Sequence, residues 1–218
     1  MIMGEKEILN LEEINKIGRA AEIDAVKDNK IVREIVTGLK RTMKAKNLTS
    51  LSAPGIGYAK RIFCIDYSDS EVKTYINPVI TNATGLELSR EICSSIPGKE
   101  YIRPRNSEID IIYQTPSGQI TTRKLKGLAA IVFQHEIDHL EGITLDDIGL
   151  EIDKDFDEAS EEDRAEVINM YLESLDMKRE DLKKEIDEDE TLHSISESYR
   201  FVEALARGDI SLETIDEE

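Results

Sequence analysis

The sequence predicts an α+β fold, with antiparallel sheets gathered around one central helix that carries two histidines. Three observations predict it. An amphipathic stretch stands near the start, and period-two strand patterns with a tight-turn signal fill the middle. An apolar helical run then ends in His135-Glu136-Ile137-Asp138-His139-Leu140-Glu141-Gly142.

Across residues 31–46, Ile31, Ile35, Leu39 and Met43 recur four apart, and basic residues gather at the C-terminal end, where the helix dipole favours cations. Residues 10–28 before it predict a short helix or an extended arm. Residues 48–58 are rich in small residues and breakers, as in a loop that admits another backbone. Strand patterns follow at 61–67, 75–80 and 86–93. Cys64, inside the first, predicts a packed core thiol, and Pro78 confines the second to an edge or a bulge. In the third, apolar and polar residues alternate as in a half-buried strand that runs into a turn at 94–98. Thr115-Pro116-Ser117-Gly118 between 108–114 and 119–125 predicts a hairpin. The histidine-bearing helix is expected over 127–141, with Gly142 as its C-cap.

Charge divides the chain. Residues 1–150 hold 21 acids and 20 bases, whereas 151–218 hold 25 acids and 8 bases. The step predicts a body over 1–150 and an acidic helical extension over 151–218. In the extension, Ser160 to Asp163 opens a helix with Val167, Ile168, Tyr171, Leu172 and Leu175 on its apolar face. A second amphipathic helix is expected from Ser194 to Arg207. Direct nucleic-acid binding through this extension is excluded, because phosphate contacts need clustered Lys and Arg. A monomer, or a dimer through these helices, is expected. Without a long apolar run or a signal-peptide core, and with only two cysteines, a cytoplasmic protein with no membrane segment is expected.

Two histidines four apart share one helix face, so both imidazoles reach a single divalent ion. Glu136 then stands beside the open side of the ion, placed to take a proton from water. A catalytic metal needs a third protein ligand. Glu141, Asp146 and Asp147 follow the motif, and His193 lies far off in the extension. Cys93 is the favoured candidate, since it ends a strand just before a turn. The resulting Cys-His-His set suits Fe²⁺ or Zn²⁺. Leu128, Ile131 and Val132 lie seven, four and three residues before His135 and share its face. They predict an apolar pocket beside the ion, with ordinary core packing as the alternative. Asp138 is expected to orient a histidine or to stand exposed.

These residues make the chain similar to the peptide deformylase family. His135 to Gly142 matches that family's H-E-(apolar)-D-H-L-x-G motif in full. Glu91-Ile92-Cys93-Ser94-Ser95 matches E-G-C-L-S in part, and Leu51-Ser52-Ala53-Pro54-Gly55-Ile56-Gly57 matches the Gly-rich loop ending A-A-P-Q-I-G in part. The resemblance covers roughly residues 5–150. It implies a deformylase-like fold and removal of the formyl group from the N-termini of formyl-methionyl peptides. Cys93, His135 and His139 would hold Fe²⁺, replaceable by Zn²⁺ or Ni²⁺. Glu136 would act as general base, with the Ser94 backbone N–H at the developing oxyanion and Ser50, Ser52, Gly55 and Glu91 along the substrate.

The pattern departs from the family at four places. Gly55 replaces the glutamine whose amide supports the oxyanion, Ile92 the glycine before the cysteine, Ser94 the leucine after it, and Ser50 a glycine of the first motif. Losing one oxyanion donor slows catalysis by about 10²–10³-fold unless another group, such as Ser50 or Ser52, replaces it. The alternatives are a non-catalytic deformylase-like protein that binds metal or a peptide N-terminus, and a peptide-cleaving metalloprotease.

Overall fold

The computed structural model describes residues 5–67 and 72–188, the last thirteen of these as backbone alone. Helix α1 (Leu11–Ile17) opens with Asn10 and Glu13 each satisfying the other's backbone N–H. Both readings of residues 10–28 hold, because α1 is followed by an extended arm. That arm is pinned by Ala20 N–H to the Leu140 carbonyl at 2.8 Å, and by Asn77, whose amide holds both the N–H and the carbonyl of Ile23.

Helix α2 (Asn29–Lys46) buries Val32, Ile35, Leu39 and Met43. Ile31 is turned to solvent and Val32 takes its place, a shift of one position in the inward face. The expected loop at 48–58 contains the short strand β1 (Ser50–Ser52) and a 3₁₀ turn over Pro54–Ile56.

One antiparallel sheet holds the strands: β1, β2 (Ile62–Ile65), β3 (Lys73–Cys93), β4 (Ile96–Gln114) and β5 (Ile120–Lys126) in that order, with β6 (Leu150–Ile152) added to β4. Every residue of β2 is buried because the strand is covered on both faces. Ile62 and Cys64 pack under α2, whereas Phe63 and Ile65 pack towards α3 (Leu128–Glu141). Cys64 is the expected core thiol, with burial pushing its pKa up to about 11.

The patterns at 75–80 and 86–93 belong to one strand. Pro78 sits at the register shift between Ile76 and Val79, with Asn77 at φ 46°, so the interior strand accommodates proline by bulging. The alternation over 86–93 is real, but its facing is opposite to expectation. Leu86 and Ile92 are each 74% exposed, while Ser89, Glu91 and Cys93 point inward. Period two leaves the choice of face open, and one inward residue carries its i±2 neighbours with it. The turn is confined to Ser94 and Ser95, because Cys93 pairs with Ile96 and residues 96–98 already belong to β4. The hairpin across Thr115–Gly118 forms as expected, with Gln114 opposite Ile120.

Helix α3 packs Ala130, Phe133 and Leu140 onto the sheet, and the Phe133 ring meets Phe63 and Tyr75 edge-on at 5.0 and 5.1 Å. Short helices α4 (Leu145–Ile148) and α5 (Lys154–Glu158) flank β6, so the sheet continues across residue 150. Helix α6 (Glu161–Glu188) begins where Ser160 caps Asp163 N–H, and Tyr171 donates its hydroxyl to the Ile148 carbonyl at 2.6 Å. The second amphipathic helix expected at 194–207 lies outside the described residues. No helix among the described residues is long and apolar enough to cross a membrane.

Gly142 ends α3 at φ 76°, and an added Cβ would stand 2.8 Å from the Gly18 carbonyl carbon and 3.1 Å from Arg19 N. Gly142→Ala therefore combines left-handed strain of about 1–2 kcal/mol with a backbone collision. Its urea midpoint should fall clearly below that of the parent; an equal midpoint would show that the arm yields.

Candidate metal centre

The site forms where α3 crosses the end of the β3–β4 hairpin. Two histidines at helical spacing share a face, and Cys93, the last residue of β3, comes up against them. His139 Nε2 lies 3.2 Å from His135 Nε2 and 3.4 Å from Cys93 Sγ, and the three donor atoms all fall within 4.8 Å of one another. For an ion with nitrogen at about 2.0–2.1 Å and sulfur at about 2.3 Å, tetrahedral edges come to roughly 3.3 and 3.6 Å. The donor set therefore fits a divalent metal. Two buried polar atoms without a hydrogen-bond partner, His139 Nδ1 and Glu136 Oε2, also belong to this site.

The acids after the motif are engaged elsewhere. Glu141 pairs with Arg19 at 2.8 Å and Arg61 at 2.5 Å, Asp146 accepts from Tyr101 and Lys99, and Asp147 caps Thr144. His193 lies outside the described residues; among those described, Cys93 is the residue that joins the two imidazoles in one donor cluster.

Electrostatics separates the two rings. Burial disfavours the His135 imidazolium, but hydrogen bonds with Cys93 and Glu91 and the charge of Glu136 outweigh it and lift the pKa to about 10. Burial, then repulsion from His135 and Arg105, pushes His139 down to about 3. At most one of the two rings is thus charged. Burial lifts Glu136 above the ordinary carboxylate range, against the opposing pull of His135, Ser50 and Ser52. A carboxylate raised in this way suits both taking and returning a proton near neutral pH.

Behind the ligands lies a buried chain of charges that the sequence reading missed. Arg105, 3% exposed, donates twice to Glu91 at 2.7 and 2.8 Å and once to Asp138 at 2.6 Å, and Arg103 also pairs with Asp138. Glu91 Oε2 in turn lies 2.9 Å from His135 Nδ1. Two expectations change here. Glu91 orients a ligand from behind instead of facing substrate, and Asp138 is neither exposed nor on a histidine. The available signal was Arg103-Pro104-Arg105, two arginines at period two in a strand, which places both on one face.

A cavity of about 640 Å³ opens over the cluster, lined by Ser50, Ser52, Gly55, Ile92, Ser94 and Glu136 beside the three donors. Its apolar wall comes from Leu48 just before β1, Leu51 on β1, and Ile92, Ile96 and Pro97 on the hairpin. Leu128, Ile131 and Val132 are outside this lining. Leu128 is 74% exposed, and Val132 packs against the sheet core. Sharing a face with His135 left the apolar wall undetermined, because the opposing strands decide it.

Cys93→Ser should lose metal on dialysis, since a hydroxyl is a far poorer ligand than a thiolate for this class of ion. Metal content equal to the parent would remove Cys93 from the ligand set. Arg105→Met leaves Glu91 buried without its guanidinium and Asp138 with Arg103 alone, and should cost about 3–5 kcal/mol in urea unfolding; a loss under about 1 kcal/mol would contradict the ion chain.

The comparisons agree with this geometry. The family model for polypeptide deformylase matches residues 6–151. A peptide deformylase of Dictyoglomus turgidum is 40% identical over 143 residues, covering 64% of this chain and 93% of that protein. One from Dictyoglomus thermophilum is 35% identical over 147 residues, covering 65% and 94%. The crystal structure of peptide deformylase from Thermotoga maritima superposes with a TM-score of 0.62 at 29% identity, covering 66% of this chain and 97% of that one. With the Cys-His-His cluster in place, the chain belongs to the peptide deformylase family and is a metal-dependent hydrolase of deformylase type.

Proposed function

We propose that this protein removes the formyl group from formyl-methionyl peptide N-termini, with Fe²⁺ as the native ion and Zn²⁺ or Ni²⁺ as substitutes. The observation that carries the reading is the buried Glu136 beside the Cys93-His135-His139 donors in a cavity bounded by a free strand edge. A thiolate with two imidazoles suits ferrous or zinc ions.

Cys93, His135 and His139 would hold the ion, which when bound would supply Lewis-acid activation of water and of the formyl carbonyl. Among the described residues strand β1 pairs only with β2, so its outer edge offers backbone groups to an extended peptide, which lies as an added strand with its formyl group over the cluster. Leu48, Ile92 and Ile96 supply apolar surface for the methionine side chain. Glu136 takes a proton from the attacking water and returns it to the leaving amine. A bond forms from water oxygen to the formyl carbon and the C–N bond breaks, giving formate and a free amino terminus. The Ser94 N–H, in the turn at the cavity, donates to the developing oxyanion. Glu91 and Arg105 keep His135 in place.

The acidic residues 151–218 extend the hydrolase domain, the first two still within its sheet, in a cytoplasmic protein that is a monomer or dimerises through the helices of this extension. Its surplus of acids keeps it off nucleic acid.

Formate release from formyl-Met-Ala-Ser by the Fe²⁺- or Ni²⁺-loaded protein tests the activity. Turnover abolished by Glu136→Gln with metal content retained is the expected result. No formate above the metal-free control would refute the activity and leave a metal- or peptide-binding protein.

A further inference from the structure

Strand β1 brings two hydroxyls to the active cavity. Ser50 and Ser52 stand two apart and therefore on one face, the face they share with Phe63 and Ile65, their partners in β2. Those partners belong to the core that packs against α3, so this face looks towards Glu136, while Leu51 turns into the other core. Both serines line the cavity with Glu136, and Ser52 is fully buried whereas Ser50 is half-exposed.

Gly55 lines the same cavity and offers no side chain. A Cβ built there would stand 3.2 Å from Leu51 Cδ1 and 3.7 Å from Ser52 Oγ. The Ser52 hydroxyl thus flanks the place where a residue-55 side chain would begin. Among the other polar side chains of the lining, Lys99 is paired with Asp146 and Glu151, and Glu100 with Arg90.

We propose that Ser50 is a catalytic residue whose hydroxyl donates to the formyl oxygen as it gains charge, and that Ser52 is a positioning residue holding Glu136. The assignment rests on the proposed deformylase reaction. It explains how the site works without an amide at position 55, since preorganised donors aimed at a developing oxyanion give rate without requiring a particular side-chain type.

The test uses the full chain loaded with Ni²⁺ and formyl-Met-Ala-Ser as substrate. Ser50→Ala should lower kcat by about 10²-fold with KM and metal content at parental values. Ser50→Thr, which keeps a hydroxyl, should recover about tenfold or more over Ser50→Ala, as should Gly55→Gln placed in the Ser50→Ala background. Ser52→Ala should lower kcat with KM held, and Ser52→Thr should restore it. Parental kcat in Ser50→Ala overturns the assignment, and so does a fall in kcat matched by a fall in metal content. A parent that releases no formate overturns the deformylase reading and the assignment together, whereas an active parent with an indifferent Ser50 overturns the assignment alone.

Discussion

The site depends on one buried chain of charges, His135–Glu91–Arg105–Asp138, which ties the β3–β4 hairpin to α3. Its two links from the hairpin to the helix join residues 44 and 33 apart in sequence, and both ends lie on the helix. Burying such a group of ions contributes little net stability, because desolvation offsets most of the attraction. What it does supply is register. Glu91 can reach His135 only if its side of β3 faces the helix, and that choice turns Cys93 inward two residues later. The same choice sends Leu86, Leu88 and Ile92 outward, at the cost of exposed apolar surface. The strand therefore follows the position of its ligand against its own hydrophobic pattern.

The other wall of the site is made by β1, a three-residue strand paired on one side only. Its buried Leu51 anchors it under α2, and its serines face Glu136. A short edge strand is open to pairing with an incoming backbone, which is a hazard on an ordinary surface and useful beside a reactive centre. Glu136 gains from the same enclosure. Burial raises its proton affinity, while the neighbouring imidazole and hydroxyls keep that rise in check. The Cys-His-His cluster and Glu136 are thus held on regular elements, with the helix fixed by its aromatic contacts to the sheet.

The acidic segment after residue 150 joins the body through ordinary contacts. Strand β6 extends the sheet, Asp157 of α5 meets Arg90 at 2.9 Å on the outer face of the hairpin, and Tyr171 anchors α6. None of these reaches the metal donors. The change in charge near residue 150 marks a change of surface, whereas the sheet itself runs through Ile152.

Much of this was legible from local pattern. His135, Glu136 and His139 are set by helical spacing alone, Gly142 by its place after the helix, and the Thr115–Gly118 hairpin by turn chemistry, because each depends on residues within a turn or two. Cys93 could be nominated from its position at a strand end, yet only the fold brought it to 3.4 Å from His139. The facing of β3, the role of Glu91, the engagement of Asp138 and the apolar wall of the cavity were decided by tertiary structure. Each rests on a contact between strands and a helix distant in sequence, and a period-two pattern reads the same whichever face is buried. The residues by themselves determined which groups carry the chemistry; packing determined which way they point.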